Sequence, residues 1–316
     1  MSIPPRPGPV LVGVNDERST ELALRWAIAD ARTLGVAVKL VHAFSGILRR
    51  QEPMYRDIPD ADLQQPRHVA EQLVATLVDQ AREIDPDVVV CGDAIEGSSS
   101  RVLVQEASSA TELVVGSRHL TALRSAVLGS VAVAATGRTA CPMIVVRGPA
   151  GLPEEGAGVV VGVDTMDRAQ SVLAVAFDHA SRHQVPLRPV LCWHPDLLAS
   201  MKWRSSPPAP ERAEMWISEA LAGWRERYPD VAVHPEVIRE HPVAGLVLAS
   251  SGQYLLLVGT TGHHGLPGAL LGSVSQGCCI ALPAQWPWCR PIFPDHLLFR
   301  PQVTFDPGRL NQRRPG

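Results

Sequence analysis

Lysine is nearly absent from the chain: of 29 basic residues only Lys39 and Lys202 are lysines. No G-x-x-x-x-G-K-[ST] loop occurs, which argues against rapid ATP hydrolysis of the P-loop kind, where a lysine meets the phosphates. A basic excess is missing too. The net charge of −3 and pI near 6.4 leave no footprint for nucleic acid and no polybasic strip for an anionic membrane. No apolar run approaches the roughly 18 residues of a spanning helix, and MSIPPRPGPV lacks the apolar centre of a signal peptide. A cytoplasmic protein is expected, with neither nucleic acid nor membrane as partner. The six cysteines (Cys91, Cys141, Cys192, Cys278, Cys279, Cys289) show no metal-type spacing, so reduced thiols are expected rather than disulfides.

What is present is a repeat. VLVGVN at 10–15 returns as VVVGVD at 159–164, VHAF at 41–44 as VLCW at 190–193, PDVVV at 86–90 as PDVAV at 229–233, and ELVVGS at 112–117 as LLLVGT at 255–260. The order is the same both times, so the chain is a duplicated unit. Copy one is expected at 8–148 and copy two at 158–290, joined by a linker at 149–157 and followed by an irregular tail at 291–316. Within each copy, short β-branched runs such as VLVGV, VAVKLVHA, DVVVCG and ELVVG alternate with stretches of helical period. Thr20 to Leu34 is one such stretch, and His68 to Arg82 another, with Val69, Leu73, Leu77 and Ala81 as its apolar stripe. The pattern predicts two tandem α/β domains, each a doubly wound parallel sheet. In such sheets ligands bind beyond the carboxyl ends of the strands, at the switch point. Asn15 and Asp164 end the first strands there, and Gly116 and Gly259 the fourth.

After the fourth strand of copy two, a glycine-rich loop leads to Gly272 and Ser273, which begin a helix. Glycines let backbone N–H groups approach an anion, and a helix start adds unpaired N–H groups and a favourable dipole. The loop suits the phosphates of a nucleotide; a tight connection with nothing bound is the bland alternative. Other constellations point less far. His263 and His264 are adjacent and read as exposed loop histidines, and Cys278 with Cys279 makes a poor metal pair. Asp16, Glu17 and Asp167 are candidates for a Mg2+ ion or simply solvated charges. Trp216 and Trp224, in a helical stretch, read as packing residues.

Gly259, Gly262, Gly272 and Ser273 follow the pattern G-x2-G-x9-G-[ST], and copy one repeats the spacing as Gly116, His119, Gly129 and Ser130. With the VGVD start, the VHA strand and the ending Ala140, Cys141, Pro142, the sequence resembles the universal stress proteins, in the tandem actinobacterial form. The resemblance implies a sheet of order 3-2-1-4-5 in each copy, the adenine nucleotide alpha-hydrolase-like arrangement, with ATP between the first and fourth strands. In copy two it implies a nucleotide site of Val163, Asp164, Cys192, Gly259, Gly262, Gly272, Ser273 and Val274. In copy one the matching positions are Val14, Asn15, Ala43, Gly116, Arg118, His119, Gly129, Ser130 and Val131. Copy one departs twice. Asn15 replaces an aspartate but keeps an amide oxygen. His119 replaces the second glycine, which either weakens the site or, beside Arg118, gives a phosphate oxygen a donor.

The implied function is an ATP-binding stress-response regulator with little or no catalysis, accompanied by Mg2+. It packs as an intrachain pseudo-dimer, forms a homodimer and acts through a regulatory partner. The alternatives are a slow ATP-hydrolysing or adenylylating enzyme, although neither an SGGxDS loop nor an HxGH signature occurs, and a dimerising scaffold that binds no nucleotide.

The self-resemblance stops after Gly277, where CCIALPAQWPWCRPIFPD replaces an expected buried strand. Reading each codon from the last base of the one before allows VLHRSACPVAVVP over 278–290. That puts a Cys-Pro pair at 284 and 285, twelve residues after Gly272, as Cys141 follows Gly129. We read this as a one-base slip of frame. It implies a copy two without its own fifth strand and a largely irregular end.

Overall fold

The computed structural model describes residues 8–45, 60–116, 135, 138–146, 156–164, 166–193, 210–253, 255–259, 274, 275, 277, 278, 288–292 and 296–300. In copy one β1 (Val10–Val14) leads through α1 (Glu17–Leu34) to β2 (Val38–Phe44), then through α2 (Asp60–Ile84) to β3 (Val90–Glu96). A short α3 (Ser99–Glu106) precedes β4 (Glu112–Gly116), and β5 (Met143–Val146) closes the unit. Copy two runs through β6 (Val159–Val163), α4 (Met166–His183), β7 (Leu187–Cys192), α5 (Pro210–Ala220), α6 (Trp224–Arg227), β8 (Glu236–Ile238), α7 (Pro242–Ala249) and β9 (Leu255–Val258). Two further strands follow, β10 (Trp288–Ile292) and β11 (His296–Arg300).

Copy one has the expected order, β3-β2-β1-β4-β5, with every neighbouring pair parallel. Copy two repeats it as β8-β7-β6-β9, also parallel. The central strands β1, β4, β5, β6 and β9 are buried on both faces, which is why they read as continuous runs of Val, Leu and Ile. The duplication extends to packing. A Cβ at Gly13 would lie 2.9 Å from Leu103 Cδ1, and one at Gly162 3.0 Å from Leu246 Cδ1. In both copies a glycine in the first strand thus admits a leucine from the helix before the fourth.

Two local expectations are corrected. The third strands begin later than the PDV runs suggest. Asp85 accepts the N–H of Asp87 at 3.1 Å and ion-pairs with Arg32 at 2.7 Å, and these bonds hold 85–88 as a turn. The buried stripe of α2 is Ala70, Val74, Leu77, Val78 and Ala81, whereas Val69 is 59% exposed. The helix is rotated so that Val74 sits over Gly92, where a Cβ would come within 2.4 Å of Val74 Cγ1.

The place of a parallel fifth strand in copy two is taken by an antiparallel hairpin. β11 pairs with β9, β10 pairs with β11, and β10 also pairs with β5, giving one sheet of eleven strands. The expectation of an irregular tail beyond 290 is therefore corrected for 291, 292 and 296–300. Antiparallel strands need only a short connection. The pairing of β10 with β5 covers Trp288 and Cys289 alone, so Pro291 lies where a partner stands on one side only and its missing donor is tolerated. Met143 to Val146 are fully covered, as an apolar strand at that position requires.

Both layers of the core draw residues from both copies. One layer joins Leu24, Ile28 and Leu77 to Leu173, Phe177 and Trp224; the other joins Leu11, Leu103 and Met143 to Val160, Leu246 and Leu256. Trp224 packs as expected, its ring 5.6 Å from Phe177 and its Nε1 donating to Gln170 Oε1 at 2.9 Å. On the first layer α1 meets α4: Trp26 stacks on His179 with ring centroids 6.1 Å apart and planes within 4°.

Candidate functional site

Strand order reverses at β1/β4 in copy one and at β6/β9 in copy two, since the chain builds outward to either side of these pairs. Their carboxyl ends define two equivalent crevices. In copy one Gly13 faces Val115, and the same register brings Val14 level with Gly116. In copy two Val161 faces Leu257, which brings Val163 level with Gly259. Val14 and Val163 are each 7% exposed, while Asn15 and Asp164, one residue further on, are exposed. Each crevice thus has an apolar floor and a polar side chain at its lip.

The second strands supply a wall. Val14 pairs with His42 and Val163 with Leu191, so Ala43 and Cys192 stand one residue beyond on the same side of the crevice. Cys192 is wedged against α7: a Cβ at Gly245 would lie 2.7 Å from its Sγ, and the thiol stands 3.8 Å from the Pro242 carbonyl oxygen. Burial, reinforced by the Glu236 and Glu240 carboxylates, pushes the Cys192 thiol up to about 12. The thiol is therefore protonated and uncharged near pH 7.

The third part is the helix after the glycine loop. Val274 and Ser275, then Gly277 and Cys278, are helical. A Cβ at Gly277 would meet Val243 Cγ2 at 2.5 Å, so this helix leans on α7 with no side chain between. Ala135 lies six residues after Gly129 and Cys278 six after Gly272, and both are fully buried in the second core layer. The two copies therefore dock these helices alike. Of the expected site residues, the structure brings Val14, Asn15, Ala43 and Gly116 to one crevice, and Val163, Asp164, Cys192, Gly259 and Val274 to elements bordering the other. Arg118, His119, Gly129, Ser130, Val131, Gly262, Gly272 and Ser273 lie outside the described residues, as do His263, His264 and Cys279.

The crevices differ in their polar groups. In copy one the Asn15 amide donates to Asp16 Oδ2 at 2.6 Å, and His42 Nδ1 donates to the Val14 carbonyl at 3.0 Å. Asp16 and Glu17 are exposed. Lys39 stands away from the loops and bridges Asp93 and Glu106, each at 2.9 Å. Burial opposes its charge, but the two carboxylates outweigh that and raise its pKa. A scarce lysine is spent on joining strands to a helix.

The sequence reading missed one pair. Trp193 follows Cys192 at the end of β7, with the Arg239 guanidinium 5.2 Å from its ring centre. Its Nε1 is buried with no hydrogen-bond partner among the described residues, and such donors are rare in folded proteins. The equivalent residue of copy one is Phe44, with Arg67 at 5.8 Å. The repeat VHAF/VLCW marked the aromatic position; the arginines come from unrelated elements, so nothing in the sequence marked them.

Two parallel α/β halves of one sheet, with equivalent switch points and the same loop spacing after each fourth strand, define a tandem doubly wound fold. The sequence profile of the universal stress protein family matches residues 8–147 and again 158–279, and the chain belongs to that family. A universal stress protein of Mycobacterium tuberculosis (strain H37Rv) is 32% identical over 281 residues, 87% of this chain and 95% of the relative. A solved universal stress protein from Archaeoglobus fulgidus covers 95% of the chain and 98% of its own length, 14% identical, with a TM-score of 0.62. Another from that organism, solved in complex with dAMP, covers 44% of this chain and 96% of its own length at 22% identity, with a TM-score of 0.33. Gly272 lies 143 residues after Gly129, so the first match's end at 147 corresponds to 290; the second match stops eleven residues earlier, at 279.

Proposed function

We propose that the chain is an ATP-binding regulator whose principal nucleotide site is the crevice of copy two. The observation that carries this is the exposed Asp164 at the lip of β6, one residue beyond Val163, which is level with Gly259, where the G-x2-G-x9-G-[ST] pattern begins. Asp164 accepts hydrogen bonds from the nucleoside, the neutral Cys192 thiol and Val163 make an apolar surface for the base, and the loop from Gly259 to Ser273 and Val274 holds the phosphates. The buried Trp193 Nε1 is a donor at the same edge, which fits a ligand rich in acceptors. Copy one keeps the scaffold of Val14, Ala43 and Gly116 but has Asn15 in place of the carboxylate and His119 in place of the loop glycine, so it binds more weakly. Among the described residues no lysine borders either crevice, and nucleotide occupancy rather than turnover is the output, with Mg2+ carried on the phosphates.

Calorimetry of the full chain with ATP and Mg2+ tests this. The expected result is one strong site per chain, lost in Asp164→Ala and retained in Asn15→Ala, with ATP recovered intact after incubation. Equal binding by Asp164→Ala and the wild type, or rapid release of phosphate, overturns it.

A further inference from the structure

The seam between the copies holds a cluster that the nucleotide crevices do not use. Asp30 on α1 and His179 and His183 on α4 place one ligand atom each within 4.8 Å of one another. His183 Nε2 stands 2.7 Å from Asp30 Oδ1, and the two imidazoles stack with centroids 4.2 Å apart and planes at 26°. Asp30 is 1% exposed and His179 0%, and Trp26 covers the outer face of the His179 ring. We propose that this cluster is a binding site for a divalent transition-metal ion of the Zn2+, Co2+ or Ni2+ type, clamping the two copies together.

The donor set and spacing support this. Histidines at i and i+4 on one helix face project to the same side and serve together as ligands, and a carboxylate completes a two-nitrogen, one-oxygen set. Tetrahedral bonds of about 2.0–2.2 Å place ligand atoms about 3.4 Å apart, so donors within 4.8 Å of one another need to close by about 1.4 Å at most, through side-chain rotation. Arg182 competes, with Nη1 3.7 Å from Asp30, but its Nη2 is drawn to Asp178 at 2.9 Å. Glu112, also buried, acts on the Arg182 charge as well and helps Asp178 hold that guanidinium.

The duplication explains how such a site arises. Asp30 lies fifteen residues after Asn15, and His179 fifteen after Asp164, so the two are the same position in the two copies; the counterpart of His183 is Leu34. Across a seam between identical subunits this position would pair like with like, carboxylate with carboxylate or imidazole with imidazole. Fusing the copies in one chain lets the two sides diverge into a mixed ligand set.

The test is titration of the full chain with Zn2+, and separately with Co2+ followed by its visible absorption. One site per chain is expected, with a Co2+ band of nitrogen and oxygen ligation and a rise in Tm on adding Zn2+. His183→Gln and Asp30→Asn are each expected to weaken Zn2+ roughly tenfold or more, since even loss of a group behind a ligand costs that much, and to abolish the band. His263→Gln with His264→Gln leaves both unchanged. Should Asp30→Asn fail to fold, the partly exposed His183 variant decides. Zn2+ affinity and Co2+ spectrum unaltered in His183→Gln, or no stoichiometric binding, would show an Asp30–His183 ion pair alone and overturn the proposal.

Discussion

The two copies differ in opposite ways at the edge of the sheet and in the residues proposed to meet a nucleotide. Copy one has five parallel strands ending in the fully buried Met143 to Val146, but carries Asn15 and His119 where a nucleotide site wants a carboxylate and a glycine. Copy two keeps Asp164 and every glycine of the loop, yet its sheet is completed by an antiparallel hairpin from beyond the family match. Loop chemistry and edge-strand pairing are thus separable. The first depends on a few side chains at strand ends, the second on a long apolar run, and each can change while the other stays.

The largest expected effect tests whether the copies are independent in stability. Phe177 is fully buried against Trp224 and Tyr228 in a core layer that includes copy one residues. Phe177→Ala should cost about 3–5 kcal/mol, and because the layer is shared, the whole denaturation profile followed by circular dichroism should shift. Loss of a copy two transition alone, with copy one unmoved, would break the picture of one core.

Next comes the asymmetry of binding. Asp164→Ala should weaken ATP by about 1.5–3 kcal/mol, the worth of hydrogen bonds to a charged group, whereas Asn15→Ala should change it less than about threefold. Gly272→Ala should act like Asp164→Ala, because a methyl intrudes where backbone meets phosphate. Isothermal titration of the three variants ranks the copies directly, and a reversed order would make copy one the nucleotide site.

The end of copy two sharpens the comparison further. If the reading frame slips after Gly277, the gene encodes an ending of the ACP type in a neighbouring frame, and a chain carrying VLHRSACPVAVVP over 278–290 should gain several degrees in Tm through a parallel fifth strand. Gene sequencing with thermal melting checks both; no such ending in either neighbouring frame would make the hairpin the native design.

The smallest effect concerns thiols. With the Cys192 pKa raised to about 12, Cys192 should resist iodoacetamide at pH 8 while the exposed Cys91 reacts, as peptide mass mapping would show. The sign for stability follows: a raised folded pKa means that Cys192 stabilises the fold below its unfolded value, about 8.5, and that this contribution is lost as pH climbs toward 12.

While the strand order of copy one came only as what the resemblance to the family implied, the sequence by itself determined the duplication and the placement of Asn15, Asp164, Gly116 and Gly259 at strand ends. These follow from local rules: alternating runs, glycine at turns, and a repeat that fixes register once any strand is assigned. It misplaced the face of α2, because Val69 and Ala70 are both apolar and only the gap over Gly92 decides which turns inward. It read the proline-rich end as irregular, since propensity cannot register that β5 and β9 both leave an edge for an antiparallel strand to join. Arg239 over Trp193, and Asp30 beside His179 and His183, were out of its reach altogether. Asp30 and His183 are 153 residues apart, and no periodicity links them. Only the packing of α1 on α4 brings a carboxylate from one copy against imidazoles from the other.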